Sequence, residues 1–167
     1  MTRYHLAQVN IGRLRAPIDD PAMEGFRSQL DPINALADRS PGFVWRLQTE
    51  EGNATAIRPY EDERMAINMS VWESLAALQE YVYRSAHVGP LRDRKQWFEP
   101  LDGPILALWW IPVGHIPTVA EAKDRLQQLK ERGPSPDAFT FRTPFPSPEA
   151  ESEAAAGLDA RFCEWAT

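Results

Sequence analysis

The sequence predicts an α+β domain of ferredoxin-like order, in which a four-stranded antiparallel sheet carries its helices on one side. Three observations predict it. Apolar residues alternate at period two over FVWRLQT (43–49) and MAINMSVW (65–72). They recur at helical spacing over 21–37 and 74–87, and Pro104 and Pro112 enclose a nearly continuous apolar run of strand length, ILALWWI. The resulting order is strand, helix, strand, strand, helix, strand.

Each element has its own signals. YHLAQVNIGR (4–13) reads as the first strand, with Leu6, Val9 and Ile11 as its apolar members and Arg15-Ala16-Pro17 as its end. Asp20-Pro21 opens a helix with Met23, Phe26 and Leu30 on one face, and Pro32 is expected to kink or restart it with Asp31 as the new cap. After Ser40-Pro41-Gly42, the strand at 43–49 turns at Glu51-Gly52-Asn53, and 54–59 is expected to return as a short partner strand. The central strand at 65–72 places Met65, Ile67, Met69 and Val71 on one face and Asn68, Ser70 and Trp72 on the other. Ser74 caps a helix with Leu75, Leu78 and Val82 as its stripe, and Gly89-Pro90 ends it just after His87. A second short helix is expected from Pro90 to the Trp97-Phe98 pair. Thr118-Val119-Ala120-Glu121 fits a capping box for a further helix that Gly133-Pro134 stops, and a Pro/Phe-rich arm then reaches residue 148.

Residues 1–148 are read as one domain and 149–167 as an acidic, Ala/Glu-rich tail. The 167 residues, 43% apolar and 25% charged, are enough for one substantial core, and no apolar run approaches the roughly 20 residues that span a bilayer. A cytoplasmic location without membrane insertion is expected, because the N-terminus leads into strand-like sequence and not into a signal region. The formal charge of −6 argues against nucleic acid, and the tail holds five acids against one arginine. With both helices on one side, the other sheet face would be open, and Trp45, Trp109 and Trp110 would be wasteful in water; a homodimer is expected to cover them.

The motifs exclude more chemistry than they specify. His5, His87 and His115 share no ligand spacing, and GxSxG, P-loop and GxGxxG runs are absent. His87 is the leading candidate: near neutral pH it can serve as base, acid or axial ligand to haem iron, and its plainer role is to cap a helix end. Tyr83 stands one turn before it. Arg92 and Arg94 could hold a carboxylate such as a haem propionate, with Trp97 against the porphyrin, or they could belong to a solvated helical face. Tyr4, Asn10, Asn68, Ser70 and Trp72 are candidates to line a substrate cavity, since buried polar atoms on strands need partners.

These segments resemble a known family. YHLAQVNIGRLRAP (4–17), DPINALADRSPGFVWRLQTE (31–50), NMSVWESLAALQEYVYRSAH (68–87) and residues 114–146 resemble the family catalogued as domain of unknown function 3291. The resemblance implies the dimeric α+β barrel that antibiotic-biosynthesis monooxygenases, chlorite dismutases and aldoxime dehydratases share. Locally, VWES, YVYRSAH and WF within 71–98 are similar to spheroidene monooxygenase, a haem-dependent relative with a histidine where His87 stands. The implied function is a monooxygenase-like oxidoreductase acting on a small, largely apolar molecule of secondary metabolism. It would use haem on His87, or no cofactor, with His87 and Tyr83 deprotonating the substrate. A cofactor-free dehydratase, cyclase or isomerase and a non-catalytic dimeric binding module are the alternatives, because fold alone does not separate them.

Overall fold

The computed structural model describes residues 3–85 and 94–150. Four strands form the sheet proper: β1 (Tyr4–Leu14), β2 (Phe43–Arg46), β3 (Met65–Trp72) and, numbered after a short β4 (Phe98–Glu99), β5 (Leu106–Pro112). All pairings are antiparallel in the order β2-β3-β1-β5, which is the ferredoxin-like arrangement. Register runs from Leu6↔Trp72 to Arg13↔Met65 between β1 and β3, and β4 pairs with the far end of β1 at Arg13↔Glu99.

Helices α1 (Glu24–Asp38) and α2 (Leu75–Ser85) lie on the sheet face that carries Leu6, Trp72 and Leu108. Asp20 caps the single 3₁₀ turn before α1, accepting from the Ala22 N–H at 2.8 Å, and Ser74 Oγ accepts from the Ala77 N–H at the start of α2. α1 does not restart at Pro32. Its apolar stripe, Phe26 to Ala37, stays packed on both sides of the proline, and tertiary contact outweighs the one lost hydrogen bond. Residues 54–59 form no strand: β2 ends at Arg46, and the chain turns through Gly52 (φ +83°) and an Asx turn in which Asn53 Oδ1 accepts from Thr55 N–H.

The opposite sheet face is not left for a second subunit. A fourth helix, α4 (Val119–Arg132), follows the short α3 (Arg94–Trp97) in chain order and lies over it, burying Ala122, Leu126 and Leu129 against Val9, Met69 and Trp109. Trp109 is 0% exposed within the one chain, with Arg125 over its ring at 6.0 Å. In the capping box, Thr118 Oγ1 accepts from Glu121 N–H, and the Glu121 side chain takes Trp109 Nε1–H at 2.9 Å and meets His115 Nε2 at 2.8 Å. Trp110 points to the α1/α2 side and donates to the Phe145 carbonyl, where the arm lies along β5 through paired Leu108 and Phe139 backbone bonds. Among the described residues no helix is long and apolar enough to cross a membrane.

Candidate functional site

A cavity of about 240 Å³ opens between the sheet and the two helices α1 and α2. Its walls are apolar: Phe26, Leu30 and Ile33 come from α1, Leu78 and Val82 from α2, and Phe98 and Phe141 close the sides. Its floor is polar. Gln8, Asn10 and Asn68 project from the same face of β1 and β3, with Asn10 directly opposite Asn68 and Gln8 opposite Ser70. Asn34 adds a further amide from α1.

The lining includes Ile11, Met65 and Ile67, which face the α4 side of the sheet. β2 ends at Arg46, opposite Ser70, and beyond that point β3 has no strand on its outer side; residues of the 53–58 turns also line the cavity. Arg46 holds those turns in place: its guanidinium pairs with both oxygens of Asp38 at 2.7 and 3.2 Å and donates to the Gly52 carbonyl.

The floor forms one hydrogen-bonded chain. Gln8 Nε2 donates to Asn68 Oδ1 at 2.7 Å and to Ser70 Oγ at 2.9 Å, and Trp72 Nε1 donates to the same Ser70 oxygen at 2.8 Å. Asn68 is exposed although Ile67, Met69, Ser70, Val71 and Trp72 around it are buried. Tyr81 stacks on Trp72 with ring centroids 4.9 Å apart, and burial pushes its phenol pKa up to about 12, so it is a neutral wall of the site.

The residues expected from sequence divide clearly. Asn10 and Asn68 line the cavity. Ser70 and Trp72 stand behind that floor, buried, and support it without lining it. Tyr4 pairs with Pro112 at the other end of β1, away from the cavity. Tyr83 is 70% exposed and does not line it; two residues earlier, Tyr81 takes the inward position. Trp97 is 7% exposed and packs against Gly25 and Phe26 beneath α1, which removes it as a cofactor platform. Arg94 is the first residue of α3. His87 and Arg92 lie outside the described residues, His87 two positions beyond the lining residue Ser85.

Sequence reading missed Gln8, Asn34 and Tyr81. Gln8 was findable, because it shares the parity of Asn10 on a strand that must pair with 65–72. The described residues do not fit haem. The cavity is smaller than the ~300–1,000 Å³ usual for ligand pockets, and Trp97 is packed beneath α1 and turned away from it. Among the described residues no group of three His, Cys, Asp or Glu side chains is placed to hold a metal ion.

Comparison with known proteins adds the following. The family model described as Domain of unknown function (DUF3291) matches residues 5–155. No curated protein matches the chain. Among solved structures it is similar to a mutant of SnoaB, a cofactor-independent oxygenase from Streptomyces nogalater, at 14% identity and a TM-score of 0.44, covering 67% of this chain and 95% of that one.

Proposed function

We propose a function for this chain, which belongs to the DUF3291 family: a monooxygenase-like enzyme, working without haem, that oxidises a small, largely apolar, oxygen-bearing molecule in the cavity beneath α1 and α2. The observation that carries the reading is Asn68, an amide left open on a central strand and facing apolar walls. Such walls accept the body of a hydrophobic molecule, and amide N–H groups hold an oxygen on it. A carbon next to a carbonyl loses a proton more easily when hydrogen bonds meet the charge that develops on the oxygen. The resulting anion can give electrons to dioxygen. One oxygen atom then enters the substrate and the other leaves as water, so a CH₂ becomes C=O with no outside reductant. His87 is the proposed base, two residues beyond the cavity wall at Ser85. A homodimer belongs to the same proposal and rests on the family resemblance alone, with its contact placed outside the sheet face that α4 covers; sedimentation equilibrium checks it.

The test is oxygen uptake with a panel of hydroxylated aromatic ketones, comparing wild type with Asn68→Leu and His87→Ala. Uptake lost in both variants with folding intact is the expected result. Ligand binding without oxygen uptake would leave a binding module and end the oxygenase reading. After hemin is added and the unbound hemin is removed by gel filtration, the protein fraction should show no Soret band; a band there that His87→Ala abolishes would overturn the haem-free part.

A further inference from the structure

We infer that Gln8 is a positioning residue that holds Asn68 as a hydrogen-bond donor toward the cavity, so that the site selects ligands with an anionic or carbonyl oxygen. The inference rests on the cavity being the working site.

A primary amide can present its oxygen or its nitrogen to a ligand, and the two states differ by a half-turn. An isolated amide would adapt to either kind of partner. Asn68 is not isolated. Gln8 uses one N–H on Asn68 Oδ1 and the other on Ser70 Oγ, at 2.7 and 2.9 Å. Trp72, whose indole nitrogen can only donate, occupies a second acceptor site on Ser70 Oγ at 2.8 Å. With its oxygen turned to Gln8, Asn68 has its Nδ2 left for the cavity, and no described residue takes it.

Turning Asn68 over alone would set its N–H group against the N–H of Gln8 and break the bond between them; only a joint turn of both amides, with Ser70 donating to Gln8, would keep the chain of bonds. Gln8 and Ser70 are buried, so their hydrogen bonds are costly to lose. The register makes this pairing durable. Gln8 lies opposite Ser70 and is the diagonal neighbour of Asn68, on two strands that pair along the whole of β3. In the arrangement the structure holds, donation runs from Gln8 into Asn68 and from Asn68 into the ligand. A phenol held there is stabilised as its phenolate, because hydrogen bonds to the charged form favour that form.

The test uses 4-nitrophenol, whose phenol and phenolate absorb differently, titrated with pH while bound to wild type, Gln8→Met and Asn68→Leu. Gln8→Met keeps the volume and removes the lock. The expected result is a bound-probe pKa higher than in wild type by about 1–2 units in both variants, with affinity for neutral phenol little changed. If Asn68→Leu raises the probe pKa and Gln8→Met does not, Asn68 needs no positioning and the inference is overturned while the cavity reading stands. If wild type does not bind the probe, or Asn68→Leu leaves its pKa unmoved, the cavity reading fails and the inference with it. Thermal melting reports whether each variant folds. Should Gln8→Met not fold, Ser70→Ala, which removes one of the two anchors of Gln8, is read in the same way.

Discussion

Gly12→Ala should close the cavity from the side. Gly12 sits in β1 next to the point where β4 pairs, and its backbone φ is not positive, so alanine brings no backbone strain and the cost is steric. A Cβ at Gly12 would stand 2.5 Å from Phe98 Cε1 and nearer still to Cδ1. Carbon atoms rest at roughly 3.5–4.0 Å, so the ring must retreat by about 1 Å or more. Phe98 also meets Phe26 edge-on at 5.5 Å, which blocks one direction of retreat and leaves the cavity as the other. Overpacking of this kind costs about 1–3 kcal/mol, against about 0.5–1 kcal/mol gained by replacing glycine in a strand. The net expectation is a destabilisation of about 1–2 kcal/mol with weaker ligand binding. Urea denaturation of wild type, Gly12→Ala, Phe98→Ala and the double variant measures it. In the double variant the alanine methyl occupies space the ring has left, so the two changes should couple favourably by about 1 kcal/mol or more. Strict additivity, with Gly12→Ala as stable as wild type, would show that the ring does not rest on Gly12.

Other perturbations have defined outcomes. Pro32→Ala returns an N–H to the exposed interior of α1 and should stabilise the protein by about 1–3 kcal/mol in urea melts; a loss would mean that the helix needs its proline bend. Tyr81 has its pKa raised above its ordinary value of 10.0, so the stability it contributes is present below pH 10 and is lost as pH rises toward 12. Wild type should therefore lose of order 2 kcal/mol more than Tyr81→Phe across that window, and parallel pH profiles would refute it. Burial pushes the Glu121 pKa up, but hydrogen bonds from His115 and Trp109, the His115 charge and the Thr118 backbone contact hold it below its ordinary value. A lowered carboxylate pKa stabilises above 4.5 and loses that contribution as pH falls through the folded-state value, so Glu121→Gln should melt earlier than wild type at pH 7 and at the same temperature in strong acid.

The sheet was legible because alternation is local. Met65, Ile67, Met69 and Val71 against Asn68, Ser70 and Trp72 gives the two faces of β3 directly, and the structure keeps that division. Which face meets which helix was not legible. That choice belongs to α4, whose stripe of Ala122, Leu126 and Leu129 is equally plain in the sequence but carries no mark of its docking site. The tyrosine was read from proximity to His87 and not from the helix: the stripe Leu75, Leu78 and Val82 already places Tyr81, and not Tyr83, on the inner side. The turns at 53–58 escaped for a different reason. Alternation permits a strand there, while the Asn53 side chain offers the backbone a competing set of hydrogen bonds.

Amides on the floor of a cavity can belong to the fold or to the function, and stability separates the two. Asn68→Leu alone removes the acceptor for a buried Gln8 N–H, and that unmet donor should cost about 1–3 kcal/mol. Removing both partners is a different matter. In Gln8→Met/Asn68→Leu no donor is stranded, Ser70 still accepts from Trp72, and two apolar side chains meet a wall already built from Ile33, Leu78 and Val82. Paired apolar replacement of this kind is near neutral or stabilising. Trp72, Trp109 and Phe139 around the sheet are at 0% exposure, so an open asparagine on the central strand stands out against closely packed neighbours. The double variant should melt at or above the wild-type temperature and bind no 4-nitrophenolate. A double variant less stable than either single one would assign the amides to the sheet, and the cavity floor would then owe its polarity to folding instead of to a ligand.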